Sequence, residues 1–177
     1  MHLFVSLFVY ETDVVTFPTG YDFAMLSGQL WHLVNRQSRK FDGIRNTMRR
    51  INIVNFIRAI EPRFTTDLLL PVQKQMEIIV AHGLPATWLL QFDALVSGPF
   101  VPLLKQHMPA SHEVGLWFEM NEMHCKAAGV TWRGRPGYEW DHIPHVAFTI
   151  GYTEDERKKL ADTAMRTFKE VFGSYPK

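Results

Sequence analysis

The chain has 177 residues, with 19 Lys and Arg against 18 Asp and Glu, a formal net charge of +1, and 46% hydrophobic residues. That length fits one domain or part of a larger one, and the apolar share is enough for a packed core. No like-charge run reaches five, which argues against a nucleic-acid or acidic-lipid partner, and no run of 18 apolar residues exists to span a membrane.

Cys125 is the lone cysteine, so no disulfide framework exists, and a free cysteine beside a loop reads as packing. The opening MHLFVSLFVY is apolar but lacks a basic n-region and a small-residue cleavage site. Glu11 and Asp13 follow, so no signal peptide is expected.

Residues 1–48 read as an N-terminal extension of unclear role. Residues 3–9 fit a strand or a short buried helix. Phe23, Leu26, Leu30 and Leu33 sit near helical spacing, and residues 38–50 are polar and basic, a solvated face. From Ile51 the text turns regular. INIVNFI, residues 51–57, is rich in β-branched residues and predicts a buried strand. Charges then appear abruptly at Arg58, Glu61 and Arg63. Asp67 is placed to cap a helix, with Pro71 in its first turn and Val72, Met76, Ile79 and Val80 on one face. Gly83 ends it. ATWLLQF, residues 86–92, predicts a second buried strand ending at Asp93. A short helix over 100–107 follows, then a third strand over 113–118 ending at Glu119. Thr153 and Glu156 match a capping box, Leu160, Ala164 and Phe168 form an apolar stripe, and Gly173 ends the last helix.

The unit is strand, loop, helix, repeated roughly every 27–36 residues. Apolar strands without alternation, separated by helices, predict a parallel α/β sheet covered on both faces, either doubly wound or a β/α barrel. In both, function gathers at the C-terminal strand ends. Three strand ends carry charge here: Arg58/Glu61/Arg63, Asp93 and Glu119. After the third comes a long stretch to His142 with little period. With Trp117 at the end of the third strand, it crowds Trp132 and Trp140 with Arg133, Arg135, Asp141 and His142, the makings of a polar cleft.

The order of features resembles the glycoside hydrolase/deacetylase β/α-barrel superfamily. A helix precedes Gly83-Leu-Pro-Ala-Thr87-Trp-Leu-Leu90, followed by a strand opening His112-Glu-Val-Gly115. A late helix runs from Thr153-Glu-Asp-Glu156 to Gly173-Ser-Tyr-Pro176. NFIRAIEPR, LLQFDAL, WFEM and WRGRPGYEWD resemble more closely an uncharacterised Bacteroides-type bacterial family within that superfamily, over residues 51–177. The resemblance implies that residues 49–177 are the N-terminal part of a barrel domain: an incomplete, open sheet of about three to four parallel strands with covering helices. It also implies that the rest of the barrel lies in a longer chain and that a periplasmic or secreted location is compatible. It departs from the polysaccharide deacetylases of that superfamily at the metal site. Trp117 and Asn121 stand where their two metal-binding histidines would, and the Arg58–Arg63 segment replaces the Asp-Asp pair. An indole and an amide are not ordinary zinc ligands, so no metal or other cofactor is expected. His112 reads as a hydrogen-bonded residue opening its strand.

For a carbohydrate substrate two chemistries stay open. In the first, one carboxyl donates a proton to the leaving oxygen and a second acts as nucleophile or base. Glu119 and Asp141 are the first pair, with Glu61 and Asp93 as alternates. Arg58, Arg63, Arg133 and Arg135 can tune a carboxylate or hold an anionic sugar. Trp117, Trp132 and Trp140 offer apolar faces to sugar rings, and His142 lies beside them. Equally, the Arg and carboxylate groups can pair to staple the loop, and Trp88 and Trp117 can simply fill the core. In the second chemistry, a relocated metal site uses Asp141, His142 and His145 with His124, although Pro144 argues against one helix presenting both rings. A third reading is a carbohydrate-binding or degenerate accessory domain without turnover.

Overall fold

The computed structural model describes residues 5–9, 14–16, 51–60 and 67–177. The chain divides into two compact units, Met1–Val54 and Asn55–Lys177, and the division falls within strand β3 (Ile51–Ile57). In the first unit, β1 (Val5–Val9) and β2 (Val14–Thr16) pair antiparallel with Leu7 opposite Val15. Of the two alternatives for residues 3–9, the strand is the one seen, over Val5–Val9. The helical pattern at 21–35 and the basic stretch at 38–50 lie outside the described residues, as do Glu61 and Arg63.

In the second unit the fold is α/β. β3 (Ile51–Ile57), β4 (Thr87–Leu90) and β5 (Glu113–Leu116) form an open sheet of three parallel strands. Thr87 lies opposite Glu113 and Leu90 opposite Leu116. The Gln91 amide donates to the Ile57 carbonyl and the Trp117 amide to that of Leu90, each at 2.9 Å. The ladder thus runs on past the ends of β4 and β5, holding the three C-terminal ends level.

Burial alternates along these strands, where the sequence pattern predicts both faces covered. Ile57, Trp88 and Leu90 are buried, whereas Phe56 and Leu89 are half-buried. On the second face Phe56 packs against Trp117, with ring centroids 4.7 Å apart. Gly115 lies on that face, and a Cβ there would stand 2.8 Å from Leu89 Cδ2, so the close strand approach requires its absence.

The helices begin where the sequence provides a cap. Asp67 Oδ1 accepts from the amides of Leu69 (2.9 Å) and Leu70 (3.1 Å) at the start of α1 (Leu69–Ala81). Beyond its end, Gly83 takes the left-handed φ of 62° that most side chains resist. α2 (Phe92–Val96) and α3 (Phe100–His107) follow β4, and α4 (Glu122–Ala127) and α5 (Pro144–Ala147) follow β5. A 3₁₀ turn, Thr149–Gly151, leads into α6 (Glu154–Phe172). There the Thr153 and Glu156 capping box is complete in both directions, worth about 1 kcal/mol, and Gly173 closes the helix at φ 82°.

α6 packs on α2, α4 and β5. One core cluster beneath it joins Met120, Cys125, Val130, Tyr152 and Leu160. Side chains as buried as Leu160 and Phe168 each contribute about 2 kcal/mol. Cys125 is a packing residue, with Sγ 3.6 Å from the Tyr152 hydroxyl, and burial raises its thiol above the usual range. His112 opens β5 as a tethered ring. Nδ1 accepts from the Trp88 indole (3.1 Å), which leaves Nε2 to donate to the Leu84 carbonyl (2.9 Å). Among the described residues no helix is long and apolar enough to cross a membrane.

Candidate functional site

The three charged strand ends converge. Arg58 is the first residue after β3, Asp93 sits in the first turn of α2 beyond β4, and Glu119 lies three residues past β5. Level parallel strands with short exits bring them together although 61 residues separate Arg58 from Glu119.

Arg58 projects onto the same side of β3 as Phe56, two residues before it. Its guanidinium carbon lies 4.4 Å from the Trp140 ring centroid and 5.2 Å from that of Trp117. Phe56 backs Trp117 at 4.7 Å, tilted by 57°. Aromatic faces hold the cation, an arrangement worth on the order of 1 kcal/mol. From there Nη2 reaches Glu119 Oε2 at 3.4 Å, its one ion pair among the described residues.

Glu119 is almost enclosed. Burial is the largest influence on its carboxyl and raises its pKa above the ordinary value. The Arg58 charge and a hydrogen bond from the Trp140 indole oppose that rise, and the Asp93 charge adds to it. Gln91 fixes the backbone here by donating from Nε2 to the Glu119 carbonyl at 3.0 Å.

Asp93 is fully buried and committed to backbone. Oδ2 accepts from the Ala59 amide at 2.9 Å and Oδ1 from Ala94 at 2.8 Å, with Ile60 a further backbone donor. It therefore ties the segment leaving β3 to the start of α2. Burial still outweighs these bonds and the Arg58 charge, so its pKa also lies above the ordinary range. Two carboxyls held back from ionising, beside one arginine, are the kind of perturbation that gathers at functional sites.

The remaining candidates staple the long loop. Arg135 grips Asp141 with Nε to Oδ2 at 2.8 Å and Nη2 to Oδ1 at 3.2 Å, and the Arg135 amide adds a contact at 3.3 Å. Burial disfavours the Asp141 charge, but these hydrogen bonds prevail and hold its carboxyl below the usual range. Arg133 clamps Glu156 at 2.8 and 2.9 Å, linking the loop to the capping box of α6. The Trp132 indole donates to the Tyr138 carbonyl at 2.9 Å. Its ring lies so close to Gly134 that any side chain there would collide with it. Trp140 is buried against Arg58, not open to a sugar ring.

His142 is exposed, with Nδ1 3.6 Å from Asp141 Oδ1. His145 is exposed in α5. His124 is enclosed elsewhere, stacked on Phe92 at 4.5 Å and donating from Nε2 to the Leu160 carbonyl at 2.9 Å. Burial lowers its pKa, which keeps the ring neutral. Among the described residues no three His, Cys, Asp or Glu side chains converge to hold a metal ion.

Sequence reasoning missed Gln91, Asn121 and Asn55. All three are buried, and Gln91 Oε1, Asn121 Nδ2 and both polar atoms of the Asn55 side-chain amide have no partner among the described residues. For Asn55 and Gln91 the signal was an amide inside an apolar run, INIVNFI and TWLLQF, where a hydrophobic residue costs less.

No family model, curated protein or solved structure matches this chain.

Proposed function

We propose that the chain is a carbohydrate-active domain of β/α-barrel type, hydrolysing a poly- or oligosaccharide at the C-terminal strand ends without the deacetylase metal triad. One observation carries this reading. Glu119, an almost enclosed acid whose pKa burial raises, stands beside Arg58 where three parallel strands end. The resemblance of residues 51–177 to the glycoside hydrolase/deacetylase superfamily agrees with it.

In this reading Glu119 is the proton donor. The glycosidic oxygen takes its proton as the bond to the anomeric carbon breaks, and water supplies the hydroxyl that replaces the leaving group, giving up its other proton to a second carboxylate. Asp93, at 0% exposure, is a positioning residue, because its oxygens are spent on the backbone amides that set Arg58 and α2. Asp141 is likewise engaged by Arg135. Glu61, three residues beyond Arg58 in sequence, is the sequence candidate left for the second carboxylate.

The test is release of reducing ends from a panel of polysaccharides and aryl glycosides by the wild-type chain, Glu119→Gln and Glu61→Gln. Turnover that survives Glu119→Gln would sink the assignment of the acid. Binding of a glycan with no release by the wild type supports the second reading, a binding module. That reading is favoured by the enclosure of Asp93 and the pairing of Asp141.

A further inference from the structure

Arg58 has more donors than the described residues around it use. A guanidinium carries five N–H groups in a planar fork suited to a carboxylate. Among the described residues its one hydrogen bond is the 3.4 Å contact from Nη2 to Glu119, well beyond the 2.7–2.9 Å usual for a good charge-assisted bond. The contrast lies in the same molecule, where Arg135 meets Asp141 through two nitrogens and both oxygens. Trp117 and Trp140 fix the plane of the Arg58 group without using its N–H groups, and the side chain remains 19% exposed. A cation fixed by its faces, with edge donors left over, is prepared for an anion.

We infer that Arg58 receives the carboxylate of an acidic sugar, a uronate, and that this binding draws a proton from solvent onto Glu119. The inference rests on the proposed carbohydrate activity and specifies its substrate class.

The linkage follows from charge. Among the described residues the groups facing Glu119 are Arg58 from the end of β3, Asp93 from α2 and the Trp140 indole from the loop. Arg58 is the one cation among them, and it favours the ionised form of Glu119. A substrate carboxylate on Arg58 neutralises that influence and adds a negative charge nearby, so Glu119 takes up a proton. The acid needed for glycosidic cleavage is then charged by the substrate it acts on.

Isothermal titration of the chain with a panel of oligouronates (glucuronate, galacturonate and mannuronate) and their carboxyl-reduced neutral counterparts tests this. At least one acidic oligomer should bind about tenfold or more tightly than its neutral counterpart. Its binding heat should change with the ionisation enthalpy of the buffer, showing uptake of up to about one proton, and the buffer dependence should vanish in Glu119→Gln. Arg58→Lys keeps the charge but loses the fork, and should weaken acidic oligomers selectively. Equal binding of acidic and neutral oligomers overturns the inference and leaves the carbohydrate reading standing. Acidic binding whose heat is independent of buffer overturns the proton linkage. If neither class binds and no neutral glycan is cleaved, the carbohydrate reading fails and the inference fails with it.

Discussion

Glu119 meets Arg58 at 3.4 Å through one oxygen and one nitrogen, at a point where both side chains are more than four-fifths enclosed. A pair built for stability would close to bidentate contact, as Arg135 and Asp141 do. Here the aromatic rings fix the arginine and the carboxyl is left short of a full partner, so burial dominates its titration.

Glu119→Gln should therefore stabilise the fold near neutral pH while removing activity. The folded pKa of Glu119 is raised above the ordinary 4.5, so between the unfolded and folded values the native state binds more protons than the unfolded chain. Stability from this group is complete below about 4.5 and declines as pH rises through the folded pKa. Urea midpoints of wild type and variant from about pH 4 to 8 should diverge in the variant's favour as pH rises. Turnover should fall by about 10²–10⁴-fold if the group is a general acid.

Asp93→Asn should behave oppositely. Ala59 and Ala94 each donate an amide proton to one of its two oxygens, and an amide nitrogen in place of either would set donor against donor. The expected cost is about 1–3 kcal/mol of unfolding free energy, read from urea denaturation. A variant as stable as wild type would show that Asp93 does not tie β3 to α2.

His124 gives a pH dependence of the other sign. Its folded pKa lies below the ordinary 6.5 because the ring is enclosed against Phe92. The unfolded chain binds the proton first, so stability is lost as pH falls below about 6.5 toward the folded pKa. His124→Phe cannot titrate. It loses the bond to the Leu160 carbonyl and should be less stable at neutral pH, but its melting temperature should decline less between pH 7 and pH 5.

Arg135→Ala should loosen the long loop more than Arg133→Ala. The first leaves the enclosed Asp141 carboxylate without its cation, whereas Glu156 keeps its bonds from Thr153 when Arg133 is removed. Limited proteolysis should cut Arg135→Ala faster within residues 132–142, and its melting temperature should fall further.

What the sequence determined by itself was local. Asp67, Gly83, Thr153 with Glu156, and Gly173 act on amides and carbonyls within about four residues, so their spacing sufficed to place the ends of α1 and α6. β-branched and apolar runs located β3, β4 and β5, and the polar residues that follow marked the strand ends where Arg58, Asp93 and Glu119 meet. Short helices were harder. α2 and α4 are five and six residues long, too short for a helical period to show, although Asn121, which caps α4 through His124, was a usable sign. The tertiary structure alone decided how the charged groups are shared. Arg58 and Glu119 are 61 residues apart and Asp93 and Ala59 34 apart, and no spacing rule reaches so far. The same residue types became a stapled pair at Arg135 and Asp141 and an under-bonded pair at Arg58 and Glu119. The difference lies in which groups the fold places beside them: backbone and loop around one, three aromatic rings and a second buried acid around the other.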